Sequence, residues 1–300
     1  MKNIYLAAGV LLSFAACTND GMNDPLADGP VAMTFTAGID AVATRVSSDG
    51  TAFTADDKVG IVPMKGGDVE TGQFNVLYTY GSDNQFTANP PYWFQDHGTV
   101  TFNAYYPYNA ELLKDGVINI DTEKNYKTDY LFASNATTVD NPTVSFTDDN
   151  AFEHVMSKFT LTLEAGDGIS NLQALTGYTL GDIKLKGSLD VTTGKIGLTD
   201  DAAEKMEMTV TGPTGATITC EPLILLPQDI DSDKLSLTVH YNEQDYHAEL
   251  HLPAQTPHKL LAGYHYHYTV KISNTALEIT NASIEGWTKL EEYDGEATLQ

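Results

Sequence analysis

Arginine is almost missing from this chain. Arg45 is the only one, and every other basic residue is a lysine. Basic charge is scarce altogether: 16 Lys and Arg stand against 41 Asp and Glu, a net charge of -25 with a pI near 4.3. Nucleic acid and anionic membrane surfaces both need a basic face, so neither is expected as a partner. Cysteine is also rare. Of the two, Cys17 sits in the leader, and Cys220 alone cannot make an internal bridge. Its setting, Thr-Ile-Thr-Cys-Glu-Pro, reads as a strand-like run with a buried, inert thiol. Helical periodicity is scarce, and after the leader no apolar run is long enough to span a bilayer. Gly-x-Ser-x-Gly, His-Glu-x-x-His and phosphate-loop patterns do not occur, so no enzyme, catalytic residue or cofactor is predicted. Aspartates fill the turns without forming an Asp-x-Asp-x-Asp-Gly loop, and no bound metal is predicted.

What is present belongs to a folded, exported protein. The chain has 300 residues, enough for one large or two ordinary domains, and 42% hydrophobic residues, too many for disorder. Lys2 precedes an apolar stretch from Ile4 to Ala16 with the proportions of a signal peptide. It closes on Phe14-Ala15-Ala16-Cys17, which resembles a bacterial lipobox: within this leader and lipobox (residues 1–17) the signal would be cut off before Cys17, which would become the lipidated N-terminus. Acyl chains would then anchor the protein in the outer membrane, each buried methylene contributing ~0.8 kcal/mol. The alternative is an ordinary secretory signal cut after Ala16, with Cys17 incidental. Residues 18–30, rich in Asp, Gly and Pro, form a polar tether.

From residue 31 onward, short runs of period-two alternation separated by Gly, Asp, Asn and Pro predict an all-β protein. Strands are expected at 31–36, 58–63, 73–80, 99–106, 116–120, 129–133 and 143–147. A second series is expected at 155–164, 178–186, 206–211, 216–226, 234–241, 245–252, 263–272 and 276–285, with single helical turns at 171–175 and 200–205. Many short strands suggest sandwiches rather than one large sheet. With a boundary near 147–152, two β-sandwich domains are expected, 31–150 and 151–300. One hairpin stands out, Leu235 to Val239 returning through Tyr246 to Leu252 around a turn at 242–245.

The stretch 31–45 carries the sharpest expectation. Val31, Met33 and Phe35 alternate with Ala32, Thr34 and Thr36, and the stretch ends at the solitary arginine. On its own this reads as a first edge strand followed by an ordinary loop. The order of features along the chain nevertheless resembles the fimbrillin family of pilus subunits of Gram-negative anaerobes. The matching stretches are Ala15-Ala16-Cys17, Ala43-Thr44-Arg45, Phe53 to Ile61, Val100 to Tyr108, Phe152 to Lys158 and Ile284-Glu285-Gly286-Trp287. Phe53 departs from a more usual Trp, which another apolar ring can replace. The resemblance implies two transthyretin-like β-sandwiches, the first with a removable strand. It further implies that an arginine-specific protease cuts after Arg45, leaving Val46 as the new N-terminus. Val31, Met33 and Phe35 would be the inward residues of the lost strand, and another pilin subunit would fill the vacated groove. A host or bacterial surface ligand is compatible with the same reading.

The remaining candidates have plainer readings. His247 and His251 show helical zinc spacing but lie in a strand run, where they would sit about 13 Å apart. His265 and His267 share a strand face roughly 7 Å apart, opposite Tyr264, Tyr266 and Tyr268. The pairs Asp56-Asp57 and Asp148-Asp149 read as turn residues. A second function from a different class is a surface glycan-binding lipoprotein or non-polymerising tip adhesin. Tyr92-Trp93-Phe94 or the 264–268 tyrosines would then form its stacking platform, and exposure of those rings discriminates the two readings. The tail Thr288 to Gln300 offers Leu290, Tyr293, Ala297 and Leu299, but Asp294-Gly295 interrupts the alternation that a donor strand needs. Whether the chain would be a stalk, anchor or tip subunit is therefore left open.

Overall fold

The structure, a computed structural model, describes residues 29–39, 52–231 and 233–287. It is almost entirely β, and its sheets are open. In the first half, a wholly antiparallel sheet builds the larger layer. Its order across the sheet is Glu153–His154, Leu131–Thr137, Val100–Tyr106, Lys58–Lys65, Val76–Tyr80 and Phe86–Thr87. The opposing layer is small: Thr34–Ala37 runs parallel to Thr143–Phe146. Between the layers lies an aromatic core containing Met33, Phe35, Tyr78, Phe94, Phe102, Phe146 and Phe152. Gly60 is required at the centre of the large sheet, because a Cβ there would lie 2.2 Å from the Tyr105 ring.

The second half sandwiches two four- to five-stranded sheets. One contains Ser157–Ala165, Tyr264–Ile272 and Leu277–Gly286, with Thr217–Thr219 and Leu223–Leu225 along its edge. The other runs Glu204–Thr209, Leu175–Ile183, Lys234–Tyr241, Gln244–His251. Inward residues such as Phe159, Leu161, Tyr178, Leu237, Tyr266 and Tyr268 fill the core. Ser157–Ala165 and Tyr264–Ile272 are parallel partners, a pairing that local alternation does not encode.

The halves are stitched together. Val117–Asp121 leaves the first half to pair antiparallel with Lys186–Asp190 of the second, placing Ile118 opposite Leu189. A third apolar cluster under this ladder mixes both halves, including Val62, Tyr105, Met156, Leu189 and Leu226. Here two stretches that carry the family resemblance meet. The His154 ring stacks on Trp287 at 4.1 Å, its Nδ1 lies 2.6 Å from Asp129 Oδ2, and Lys158 sits over the indole at 5.5 Å. Burial pushes the Asp129 carboxyl up, and its hydrogen bond to His154 opposes that.

Several local expectations change. The opening strand forms Thr34–Ala37 rather than 31–36, although Ala32 makes an isolated bridge with Trp93. The run 216–226 breaks into two strands at Glu221-Pro222, where proline has no N–H for the ladder. The run 178–186 divides into Leu175–Ile183 and Lys186–Asp190, which enter different sheets. Between them the buried Gln228 amide takes over both backbone groups of Lys184, at 2.6 and 3.1 Å. Neither expected helical turn forms. Asn171 instead accepts from the Gln173 N–H in an Asx turn, and Glu204 opens a strand. The hairpin turn is tighter than expected, with Asn242 and Glu243 both at positive φ, 52° and 61°.

Candidate functional site

Residues 31–39 are extended because apolar and polar positions alternate and Gly38 ends the run. Met33 and Phe35 point into the first core and are 1% and 3% exposed; Val31 is half-buried against the same cluster. Ala37 and Ile39 continue this inward row beyond the three positions expected from sequence. Phe35 sits at its centre. Its ring stacks on Phe86 at 4.5 Å and meets Tyr78 and Phe146 edge-on at 5.0 and 5.4 Å. Burying side chains of this size contributes about 1.5–3 kcal/mol each.

Both edges of the segment are engaged, so it is an inserted strand rather than a free edge. On one side Phe35 lies opposite Val144 and Ala37 opposite Phe146. The Thr34 N–H donates to Pro142 O at 3.1 Å and the Gly38 N–H to Phe146 O at 2.8 Å. On the other side the Met33 N–H donates to Tyr92 O at 2.9 Å, and the Phe94 N–H to Val31 O at 3.0 Å. Tyr78 links the two: its hydroxyl donates to Met33 O at 3.0 Å and accepts from the Tyr92 N–H at 3.2 Å. Burial pushes the Tyr78 hydroxyl up to about 12, partly offset by the Tyr92 N–H. Burial pushes the Tyr92 phenol up as well, reinforced by its 2.7 Å bond to the Glu70 carboxylate.

The strand leaves the core beside the point at which the chain returns. Ile39 bridges to Phe152, and the Phe53 ring packs on Phe152 and on Phe86, each at 5.2 Å. Phe53 thus occupies the apolar pocket expected of it. Arg45 and Val46 fall within 40–51, Cys17 within 1–28 and the tail within 288–300, all outside the described residues. Sequence reasoning missed Tyr78 as the hydroxyl holding Met33 and the segment Tyr92–Phe94 as a second edge. Only the continued alternation at Ala37 and Ile39 could have been read further.

The other candidates occupy ordinary structural positions. Tyr92 and Phe94 are buried and Trp93 alone of that trio faces out, while Tyr266 and Tyr268 are fully enclosed. No row of exposed rings is formed by either set. Outward histidines lean on threonines of neighbouring strands: His265 on Thr160 at 2.8 Å, His267 on Thr162 at 3.0 Å, His247 on Thr238 at 3.0 Å. Among the described residues no three His, Cys, Asp or Glu are grouped to hold a metal ion. Asp56 and Asp148 both have positive φ in turns, and Asp57 accepts from the Thr54 N–H at 2.6 Å. Cys220 is buried, which pushes its thiol up to about 12.

A family model described as fimbrillin-like matches residues 44–287. Among solved structures, the chain is similar to a protein of Bacteroides ovatus described as a candidate cell adhesion protein. The two are 25% identical with a TM-score of 0.67, over 87% of this chain and 99% of that one. A protein of the same description from Bacteroides uniformis is 24% identical, with a TM-score of 0.68 over 87% and 100% of the two chains. A fimbrial protein of Bacteroides vulgatus shares the fold at 15% identity, with a TM-score of 0.59 over 86% and 100%. No curated protein matches the chain.

Proposed function

This chain belongs to the fimbrillin-like family, and from that premise we propose that it is a cell-surface fimbrial subunit or accessory pilin supporting adhesion, whose first strand is a removable plug. The protein is exported as a lipoprotein held in the outer membrane through Cys17, and an arginine-specific protease cuts after Arg45. The strand 31–39 then leaves, and a strand from another pilin subunit takes its place in the first of two β-sandwich domains, 31–150 and 151–300. The observation that carries this reading is the seating of residues 31–39. They bury Met33 and Phe35 in the centre of one core, yet join the rest of the fold through the segment that holds the only arginine. The family match, beginning at residue 44, starts beyond this strand and supports the same division.

The physical logic is that removal opens an apolar trough with two unpaired backbone edges, which favours strand addition from another chain. The first test is limited digestion of the intact lipoprotein with an arginine-specific protease. One cut after Arg45 is expected, after which a labelled peptide of residues 30–39 exchanges into the protein; Arg45→Ala blocks both steps. Resistance of Arg45 in the folded protein would sink the proposal. So would a cut protein that keeps its own first strand against excess peptide.

A further inference from the structure

The seat of the first strand is uneven, and its shape restricts what can replace that strand. Five alternate positions point inward: Val31, Met33, Phe35, Ala37 and Ile39. The central one is the most demanding. Phe35 fills a space walled by three rings, with Phe86 stacked against it and Tyr78 and Phe146 edge-on. Next to it the row narrows to Ala37, opposite Phe146 on the neighbouring strand. An incoming strand therefore needs alternate apolar residues with a large one at the third position. Leaving the third position empty would strand three aromatic rings around a cavity, the costliest kind of core defect.

The chain's own tail does not meet this demand. Its one alternating set is Tyr293, Gly295, Ala297 and Leu299. When this set is laid along the five positions with Ala297 and Leu299 at the places of Ala37 and Ile39, Gly295 falls where Phe35 lies. Run in the opposite direction, with Leu299 at the place of Val31, it again puts Gly295 in the centre. A shift that brings Tyr293 to the centre buries the Glu291 carboxylate at the place of Met33 or, in reverse, of Ala37. The other register of the tail presents Glu292, Asp294 and Glu296, charges that an aromatic trough cannot accept unpaired.

We propose that the groove selects its incoming strand by a large apolar side chain at the Phe35 position, and that the partner is a strand of a different protein rather than residues 288–300 of a second copy. This rests on the removable-strand reading and names its partner class. On this account residues 288–300 of one copy do not fill the groove of another.

The test uses full-length protein cut after Arg45 and four labelled peptides, with exchange into the groove followed by fluorescence anisotropy. The peptides are residues 30–39, the same with Phe35→Gly, residues 288–300, and the latter with Gly295→Phe. The 30–39 peptide is expected to enter, and Phe35→Gly to weaken it on the order of 100-fold. The 288–300 peptide is expected not to compete, and Gly295→Phe to improve it by at least about tenfold. Entry of the unaltered tail peptide as tightly as 30–39, or a Phe35→Gly loss below about fivefold, overturns the selection proposal while leaving strand replacement intact. If the 30–39 peptide itself does not enter the cut protein, the removable-strand reading fails, and the selection proposal with it.

Discussion

The two large cores of this protein are closed in opposite ways. The second-half core lies between two sheets whose strands all belong to the stretch after residue 156, and its centre is an eight-position parallel ladder between Ser157–Ala165 and Tyr264–Ile272. The first-half core is ring-rich, and one wall of it is the short strand Thr34–Ala37 with Met33 and Phe35. In the function proposed above, a single backbone cut after Arg45 separates this first strand from the fold, whereas the central strands of the second core, Ser157–Ala165 and Tyr264–Ile272, are each flanked by neighbours on both sides. On that proposal, burial alone does not make a strand permanent; what matters is how the chain enters and leaves it.

The comparison breaks most sharply at Phe35. Phe35→Ala is expected to cost the first core about 3–5 kcal/mol. Hydrogen exchange should show lost protection across 58–106 and little change across 157–183. Equal loss in both would mean that the junctional ladder between Val117–Asp121 and Lys186–Asp190 makes one cooperative unit. The mirror experiment is Leu237→Ala in the second core, expected to cost about 2–5 kcal/mol by denaturant unfolding. It should leave the rate of cutting after Arg45 unaltered, and an accelerated cut would argue against independent cores.

A smaller effect is expected at Tyr78, whose hydroxyl ties Met33 to Tyr92. Tyr78→Phe should lose about 1–2 kcal/mol and speed release of the cut strand. The same hydroxyl gives a pH signature. Burial raises it from 10.0 to about 12 in the folded protein, so its contribution is present in full below pH 10 and is lost as pH rises towards 12. Denaturation followed from pH 9 to 12 should show a shallower alkaline loss in Tyr78→Phe. The slope should not vanish, because Tyr106 is likewise raised to about 12, by burial and then by the Asp57 charge. The smallest effect is expected at Cys220, whose thiol burial also raises to about 12. Iodoacetamide at pH 8 should label it slowly, and at the same rate before and after cutting at Arg45. Faster labelling of the cut protein would show that strand loss reaches the second core.

Much of the fold could be read because exposed and buried sides alternate locally. Lys234–Tyr241, Tyr264–Ile272 and Val100–Tyr106 lie close to their expected places. Failures came where the chain changes partner inside an apolar run. The break at Glu221-Pro222 and the Gln228 substitution for a ladder at Lys184 are both of this kind. The short pairs such as Phe86–Thr87 are too brief to show a period at all.

For the candidate site, the sequence by itself determined the alternation of Val31, Met33 and Phe35 and the solitary Arg45 that follows. Period-two patterning and a one-residue signal are local properties. Only the tertiary structure decided that this strand runs parallel to Thr143–Phe146, has Tyr92–Phe94 on its other edge, and sets Phe35 among three rings. Those partners come from distant parts of the chain, and backbone pairing with them leaves no periodic trace in residues 31–39. The alternation could say which side chains turn inward, but not what they would meet there.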